Sequence, residues 1–337
     1  MLNEKGEYIW KSAVASKGHI VNLDDTVEPE YYVGGKGLTL PEKIDKRNES
    51  VVYLGYLYNH WGHFLIDFSS RLWFAYKNRD MQYHYVFVVN ENQKFYPIQP
   101  IQDFLNCLGI HDIEYINKPT AFKNVIVPEP SYITNLYFSQ LHMELFNYVA
   151  SKAMEDCQQD TCPEKVYFTR KSYKKAEQTE VGEEIICRLL KDNGFSIISP
   201  EKCTLYDQIR FIRNAKIVAG IAGTIPHNML FAKEKQKVWI FNKTYIINTM
   251  QMDVNYMRQL NVTYVDCYSC CEARPLGGGP FLITKTVQLS DFCKDNAIDF
   301  QDDKHLEKKN VRAYMNLITV ASPYSPAVVD QWNSVHY

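Results

Sequence analysis

Two stretches of the chain hold residue types that could do chemistry. In the first, His60, Trp61, His63, Asp67 and Arg71 recur at steps of one to four residues. A helix over 59–77 would set His60, His63, Asp67 and Arg71 on one face, with Trp61, Phe64, Leu65, Phe68 and Leu72 as the apolar stripe opposite. A carboxylate one turn from a histidine can hold its tautomer and raise its basicity, which suits general-base work. A solvated face with a surface ion pair explains Asp67 and Arg71, but explains two histidines beside a tryptophan less well. The expectation is a functional face.

The second stretch, 216–231, reads Lys-Ile-Val-Ala-Gly-Ile-Ala-Gly-Thr-Ile-Pro-His-Asn-Met-Leu-Phe. A β-branched run passes through Gly220 and Gly223 into a helix start, with Thr224 as N-cap and Pro226 in the first turn. Free N–H groups and the helix dipole would then face one anion. An ordinary strand-to-helix turn is the plain alternative. Arg170 closes a strand over 165–169 and adds a cation where parallel sheets bind ligands.

Alternating elements must position these groups. Strands are expected at 51–55, 85–89, 114–116 and 124–128, with helices at 101–108 and 139–156. A polar break at 158–163 marks a boundary. Strands at 165–169, 195–198, 217–219, 237–241 and 261–265 follow, with helices at 181–193 and 204–213. Thr204 and Asp207 make a near capping box. Such alternation argues for parallel sheets with helices on both faces. A hinge-like loop from Gly277 and a helix at 305–318 complete the chain.

The 337 residues suggest two domains of roughly 150 residues. A net charge of -2 gives no footprint for nucleic acid. No stretch of about 18 apolar residues could span a membrane. The first residues lack a signal-peptide core, so the expected location is the cytoplasm, with reduced thiols. Among nine cysteines, Cys267, Cys270 and Cys271 cluster, but no partner pair at zinc spacing follows. Gly34-Gly35-Lys36-Gly37 lacks Walker spacing and reads as a turn. Asp302-Asp303 reads as a solvated charged run.

Together these features resemble the family 61 glycosyltransferases. Three blocks carry the likeness: 61–72, similar to the family's His-Phe-Leu-x-Asp-x-x-x-Arg-Leu; Tyr167-Phe168-Thr169-Arg170 through Glu183 to Gly194-Phe195; and Gln208 followed by Ala215, Gly220, Gly223, Asn228 and Phe231. Gly223-Thr224-Ile225 stands where the family has Gly-Ala-Gly, and Ala222 where it often has histidine. A second arginine expected after Arg170 is not evident; Lys174, Lys175 or Gln178 stands there. These departures bear on donor identity more than on reaction class.

The resemblance implies an α/β protein of two Rossmann-like domains facing a cleft, the GT-B arrangement. The acceptor-side domain would cover 1–150 and the nucleotide-sugar domain 151–285. A helix and tail at 286–337 would be free to pack back on the first domain. The implied reaction is inverting transfer of a hexose or pentose from a nucleotide sugar, expected to be a UDP-sugar, to a glycan, lipid-linked or protein-linked acceptor. The expected setting is bacterial surface-polysaccharide synthesis, in capsule or lipopolysaccharide, at the inner face of the membrane.

His63 oriented by Asp67, or Asp67 directly, would be the base. Arg170, Glu183, Gln208, Gly220, Gly223, Thr224, His227 and Asn228 would line the donor side, and His60, Trp61 and Arg71 the acceptor side. The absence of an Asp-x-Asp motif favours metal independence. A non-catalytic nucleotide- or glycan-binding protein on the same scaffold is the other reading. A dinucleotide-dependent oxidoreductase would need Gly-x-Gly-x-x-Gly at an early strand, and the sequence has none.

Overall fold

The computed structural model describes residues 43–89, 94–155, 162–173, 176, 179–268 and 278–321, together with two short antiparallel strands, β1 (Val14–Ala15) and β2 (Tyr32–Val33). Gly34–Gly37, Lys174, Lys175, Gln178, Cys270, Cys271 and the final aromatic tail lie outside the described residues. The chain divides into two compact units. The first holds Met1–Cys157, His227–Ala232 and Thr249–Arg258; the second holds Gln158–Pro226, Lys233–Asn248 and Gln259–Tyr337.

In the first unit, β3 (Asp45–Tyr56), β4 (Tyr85–Val88), β5 (Ile113–Ile116) and β6 (Thr120–Ile126) form a wholly parallel sheet in the order β5-β4-β3-β6. Val51, Tyr53, Val86 and Ile116 make one apolar face. Between β3 and β6 the strand order reverses, and the carboxyl ends of strands at such a point are where open α/β sheets bind ligands. The chain leaves β3 straight into α1 (Trp61–Ile66).

The long helix expected over 59–77 is interrupted. A 3₁₀ turn (Phe68–Arg71) separates α1 from α2 (Trp73–Lys77). Competition for carbonyls gives the reason. Ser69 Oγ donates to Leu65 O at 2.9 Å, and both the amide and the hydroxyl of Ser131 donate to Ser70 O. Serine back-bonding and an outside donor favour the tighter winding. The unit also contains α3 (Gln99–Cys107), the short hairpin of β7 (Tyr132–Ile133) and β8 (Tyr137–Phe138), and α4 (Gln140–Met154).

In the second unit, the chain runs through β9 (Lys165–Phe168), β10 (Glu180–Val181), α5 (Glu183–Asp192), β11 (Ser196–Ile198), α6 (Leu205–Asn214), β12 (Ile217–Ile221) and β13 (Lys237–Asn242). Next comes α7 (Thr249–Met257), which clusters with the first unit, and then β14 (Asn261–Asp266), β15 (Phe281–Leu282), α8 (Val287–Asp295) and α9 (Lys304–Ala321). The main sheet is parallel in the order β11-β9-β12-β13-β14, so its reversal lies between β9 and β12. Tyr167, Leu190, Trp239, Phe241 and Phe292 are central to its core.

The capping box forms: Thr204 accepts from Asp207 N while Asp207 accepts from Thr204 N. Gly182 starts α5 at φ 97°, where a Cβ would lie 2.0 Å from Ile283 O. The turn after Gly278 leads into β15, which pairs in parallel with β10. α9 packs Val311, Tyr314 and Met315 on Leu282 and Val181, within the second unit. Its start is capped by Asp303, which accepts from Leu306 N and pairs with Arg188. Helices α7 and α8 had no counterpart in the sequence reading. Among the described residues no helix is long and apolar enough to cross a membrane.

Candidate active site

The first-unit site grows from the start of α1. His60 is the N-cap, extended at φ -143°, and its Nδ1 accepts from His63 N at 3.3 Å. That bond leaves Nδ1 of His60 unprotonated. One turn on, His63 Nδ1 donates to Asp67 Oδ2 at 2.7 Å. The carboxylate is 3 % exposed and the imidazole 22 %. Burial pushes the Asp67 carboxyl up, and hydrogen bonds from His63 and Thr134 pull it back. With Nδ1–H committed to Asp67, proton exchange falls to His63 Nε2.

Tyr58, His60, His63 and Phe68 pack ring against ring, with the imidazoles of His60 and His63 4.6 Å apart. The same packing and the nearby Asp67 carboxylate raise the Tyr58 hydroxyl above its ordinary range.

Arg71 does not join this face. The 3₁₀ step turns it into the core, where it is fully buried, donates to Pro128 O at 3.0 Å and lies over the Tyr53 ring. Burial lowers its guanidinium to about 10. Its bond ties the stretch just past β6 to the 3₁₀ turn.

The 3₁₀ helix Ile225–Phe231 takes the place of the α-helix expected after Gly223. Its residues His227 and Asn228 belong with the first unit, beside the histidine helix. Asn228 Oδ1 accepts from Trp61 Nε1 at 2.8 Å. His227 Nδ1 bonds Gln251 Oε1 at 2.9 Å, and Gln251 Nε2 donates to Asn255, which fixes the amide and puts the proton on His227 Nδ1. Burial, together with His63 and His60, lowers His227 to about 4. Both residues therefore stand near the candidate base.

The second-unit site lies at the reversal between β9 and β12. Arg170 follows β9, Gly223 follows β12, and Lys243 follows β13. Glu180 ties the cations together: its Oε1 lies 3.1 Å from Arg170 Nη1 and 2.6 Å from Lys243 Nζ. Lys243 is 1 % exposed and stands over the Phe281 ring. Burial lowers its ammonium to about 8, opposed by Glu180 and assisted by Arg170. A Cβ at Gly223, where φ is 142°, would sit 3.0 Å from Arg170 Nη1. The backbone of this turn thus comes within reach of the cations because no side chain intervenes.

The other donor-side candidates bond or pack within the second unit. Glu183 accepts from Tyr167 Oη, Thr169 Oγ1 and Arg170 N, so it clamps the end of β9. Burial raises its carboxyl against those donors. Gln208 donates to Pro200 O and Cys203 O, holding the turn before α6. Gly220 is a packing residue, since a Cβ would lie 2.9 Å from Ile225 Cγ2. Thr224 is half-buried in the turn, between Gly223 and buried Ile225.

Sequence reasoning missed Thr134, Gln251, Glu180 and Lys243. Lys243 was within reach, because the argument that found Arg170, a cation just past a buried parallel strand, applies to it unchanged. Elsewhere, Glu49, His84 and Glu114 bring potential metal-ligand atoms within 4.8 Å of one another. Arg47 already neutralises Glu114 at 2.6 Å, and His84 bonds Asp112. The group lies on the amino-terminal side of its strands, away from the carboxyl ends where the candidate residues stand.

A family model described as Glycosyltransferase 61 matches residues 61–239, more than half of the chain. The match includes His63, Asp67, Arg170 and Gly223, and stops short of Lys243. No curated protein matches the sequence.

Proposed function

Because the chain belongs to the glycosyltransferase 61 family, and is thereby a glycosyltransferase, we propose that it moves a sugar from a nucleotide-sugar donor to a glycan acceptor with inversion at the anomeric carbon. His63 Nε2 takes the proton of the acceptor hydroxyl while Asp67 holds the ring and stabilises the imidazolium that forms. Arg170 and Lys243 meet the charge that grows on the departing diphosphate, with the Gly223–Thr224 backbone adding donors. On this reading the two strand-reversal sites serve the two substrates of one in-line transfer, the GT-B arrangement. His227, held neutral, and His60 shape the acceptor side around His63.

The observation that carries the base assignment is the 2.7 Å bond between His63 Nδ1 and a nearly buried Asp67. The cation pair at the second reversal supports an anionic leaving group, and UDP-sugars are the first donors to try. We further propose metal-independent catalysis, since the sequence carries no Asp-x-Asp pair. A cytoplasmic setting at a membrane face, in bacterial capsule or lipopolysaccharide synthesis, completes the reading.

The test is a thermal-shift panel of nucleotide sugars with and without EDTA, followed by transfer assays on His63→Ala. Ligand stabilisation names the donor by mass action. Stabilisation by a nucleotide sugar and loss of transfer in the variant are the expected results. Full transfer by His63→Ala would move the base to Asp67.

A further inference from the structure

We propose that the outer face built by the β7–β8 hairpin and α7 binds an uncharged glycan chain, the distal part of the acceptor. This rests on the reading of the protein as a transferase acting through His63.

Four large apolar side chains stand exposed there: Leu136 and Phe138 on the hairpin, Met252 and Tyr256 on the helix. Tyr256 is 75 % exposed, yet its ring is fixed edge-on against Phe138 at 5.9 Å. Exposed apolar groups gathered in one place mark a binding surface more often than scattered ones do. The two elements are also locked together. Asp253 Oδ2 accepts from Tyr132 Oη at 2.7 Å and from Asn135 N at 2.8 Å. A surface held in place before binding loses little on ordering.

Chemistry selects the occupant. A pyranose ring offers an apolar face of C–H groups and a rim of hydroxyls. Aromatic and thioether side chains suit the face, while the exposed Asn135 stands on the same hairpin to serve the rim. An anionic lipid surface would call for lysine or arginine. Segments 131–139 and 249–257 contain neither, and Asp253 is their one ionisable group besides tyrosine.

Position selects the acceptor over an unrelated glycan. Both elements reach the candidate base from their inner sides: Thr134 in the hairpin bonds Asp67, and Gln251 on α7 bonds His227. A chain lying on the outer face would therefore approach the site along the elements that hold it.

The probes are neutral pentasaccharides of xylose, mannose, glucose and N-acetylglucosamine, titrated calorimetrically into the whole protein, with single sugars as controls. We expect one pentasaccharide to bind at least tenfold more tightly than its monosaccharide. Tyr256→Ala and Phe138→Ala should each weaken that binding about tenfold while circular dichroism stays unchanged.

No binding by any pentasaccharide overturns the proposal. So does undiminished binding by Tyr256→Ala. Capture of the wild type, but not of Tyr256→Ala, by phosphatidylglycerol vesicles would replace the glycan with a membrane. A concentration-dependent dimer lost in Tyr256→Ala would replace it with a second copy. Glycan binding without stabilisation by any nucleotide sugar would leave this surface standing and sink the transferase reading. Nucleotide-sugar stabilisation without glycan binding would do the reverse.

Discussion

The two strand-reversal sites use buried carboxylates in opposite ways. In the first unit Asp67 serves a single histidine and leaves that ring 22 % exposed, with one nitrogen uncommitted to the carboxylate. In the second unit Glu180 stands between two cations, Arg170 and Lys243, and leaves their sum positive. One arrangement prepares a proton acceptor. The other prepares a place for negative charge. The same sheet topology supports both because the chemistry lies in the residues just past the strand ends, not in the strands.

The comparison breaks first at His63. His63→Ala should lower the transfer rate by about 10²–10⁴, the range for a lost general base, with donor binding intact by calorimetry. Asp67→Asn should fall in the same range, since an amide can hold the ring in the wrong tautomer. If Asp67→Asn transfers at the wild-type rate, Asp67 neither orients His63 nor acts as base.

Breaking Glu180 tests the other side. Glu180→Gln leaves Lys243 buried without its partner, and removal of one member of a buried pair costs on the order of 3–5 kcal/mol. Chemical denaturation should report it. Gly182→Ala should destabilise by a few kcal/mol, because a Cβ 2.0 Å from Ile283 O adds to strain at positive φ. If Lys243→Met binds donor as tightly as the wild type, the ion pair is structural only.

A smaller effect sharpens the contrast through pH. His227 and His142 are lowered by burial to about 4 and about 3 from 6.5. Between those values and 6.5 the unfolded chain binds protons that the folded chain refuses. Stability should therefore fall as pH drops below 6.5, and His142→Asn should flatten that slope. At the second site the sign for ligand is opposite. The Lys243 ammonium is lost as pH rises through about 8, so donor affinity should weaken there, while folding stability gains between about 8 and 10.5.

Both parallel sheets were legible in the sequence, since buried strands such as those expected at 217–219 and 237–241 read as continuous apolar runs. The capping box at Thr204 was legible for the same local reason. His63, Asp67 and Arg170 stood out by residue type and spacing. What failed needed information from distant chain. Arg71 lost its place on the polar face because Ser131, 61 residues along the chain from Ser70, takes the Ser70 carbonyl and tightens the turn. Glu183 and Gln208 matched a family pattern, but no spacing rule names their partners: two hydroxyls and an amide at the end of β9 for Glu183, and two backbone carbonyls for Gln208. Lys243 and Glu180 meet only when β10 and β13 are folded, and neither carries a local signal for the other.

The most direct measurement pairs two readouts on one variant. In His63→Ala, nucleotide-sugar affinity and transfer rate should separate: the affinity unchanged within about twofold, the transfer lost by at least about a hundredfold. Transfer at the wild-type rate, or donor affinity lost together with transfer, would contradict the division of labour between the two sites.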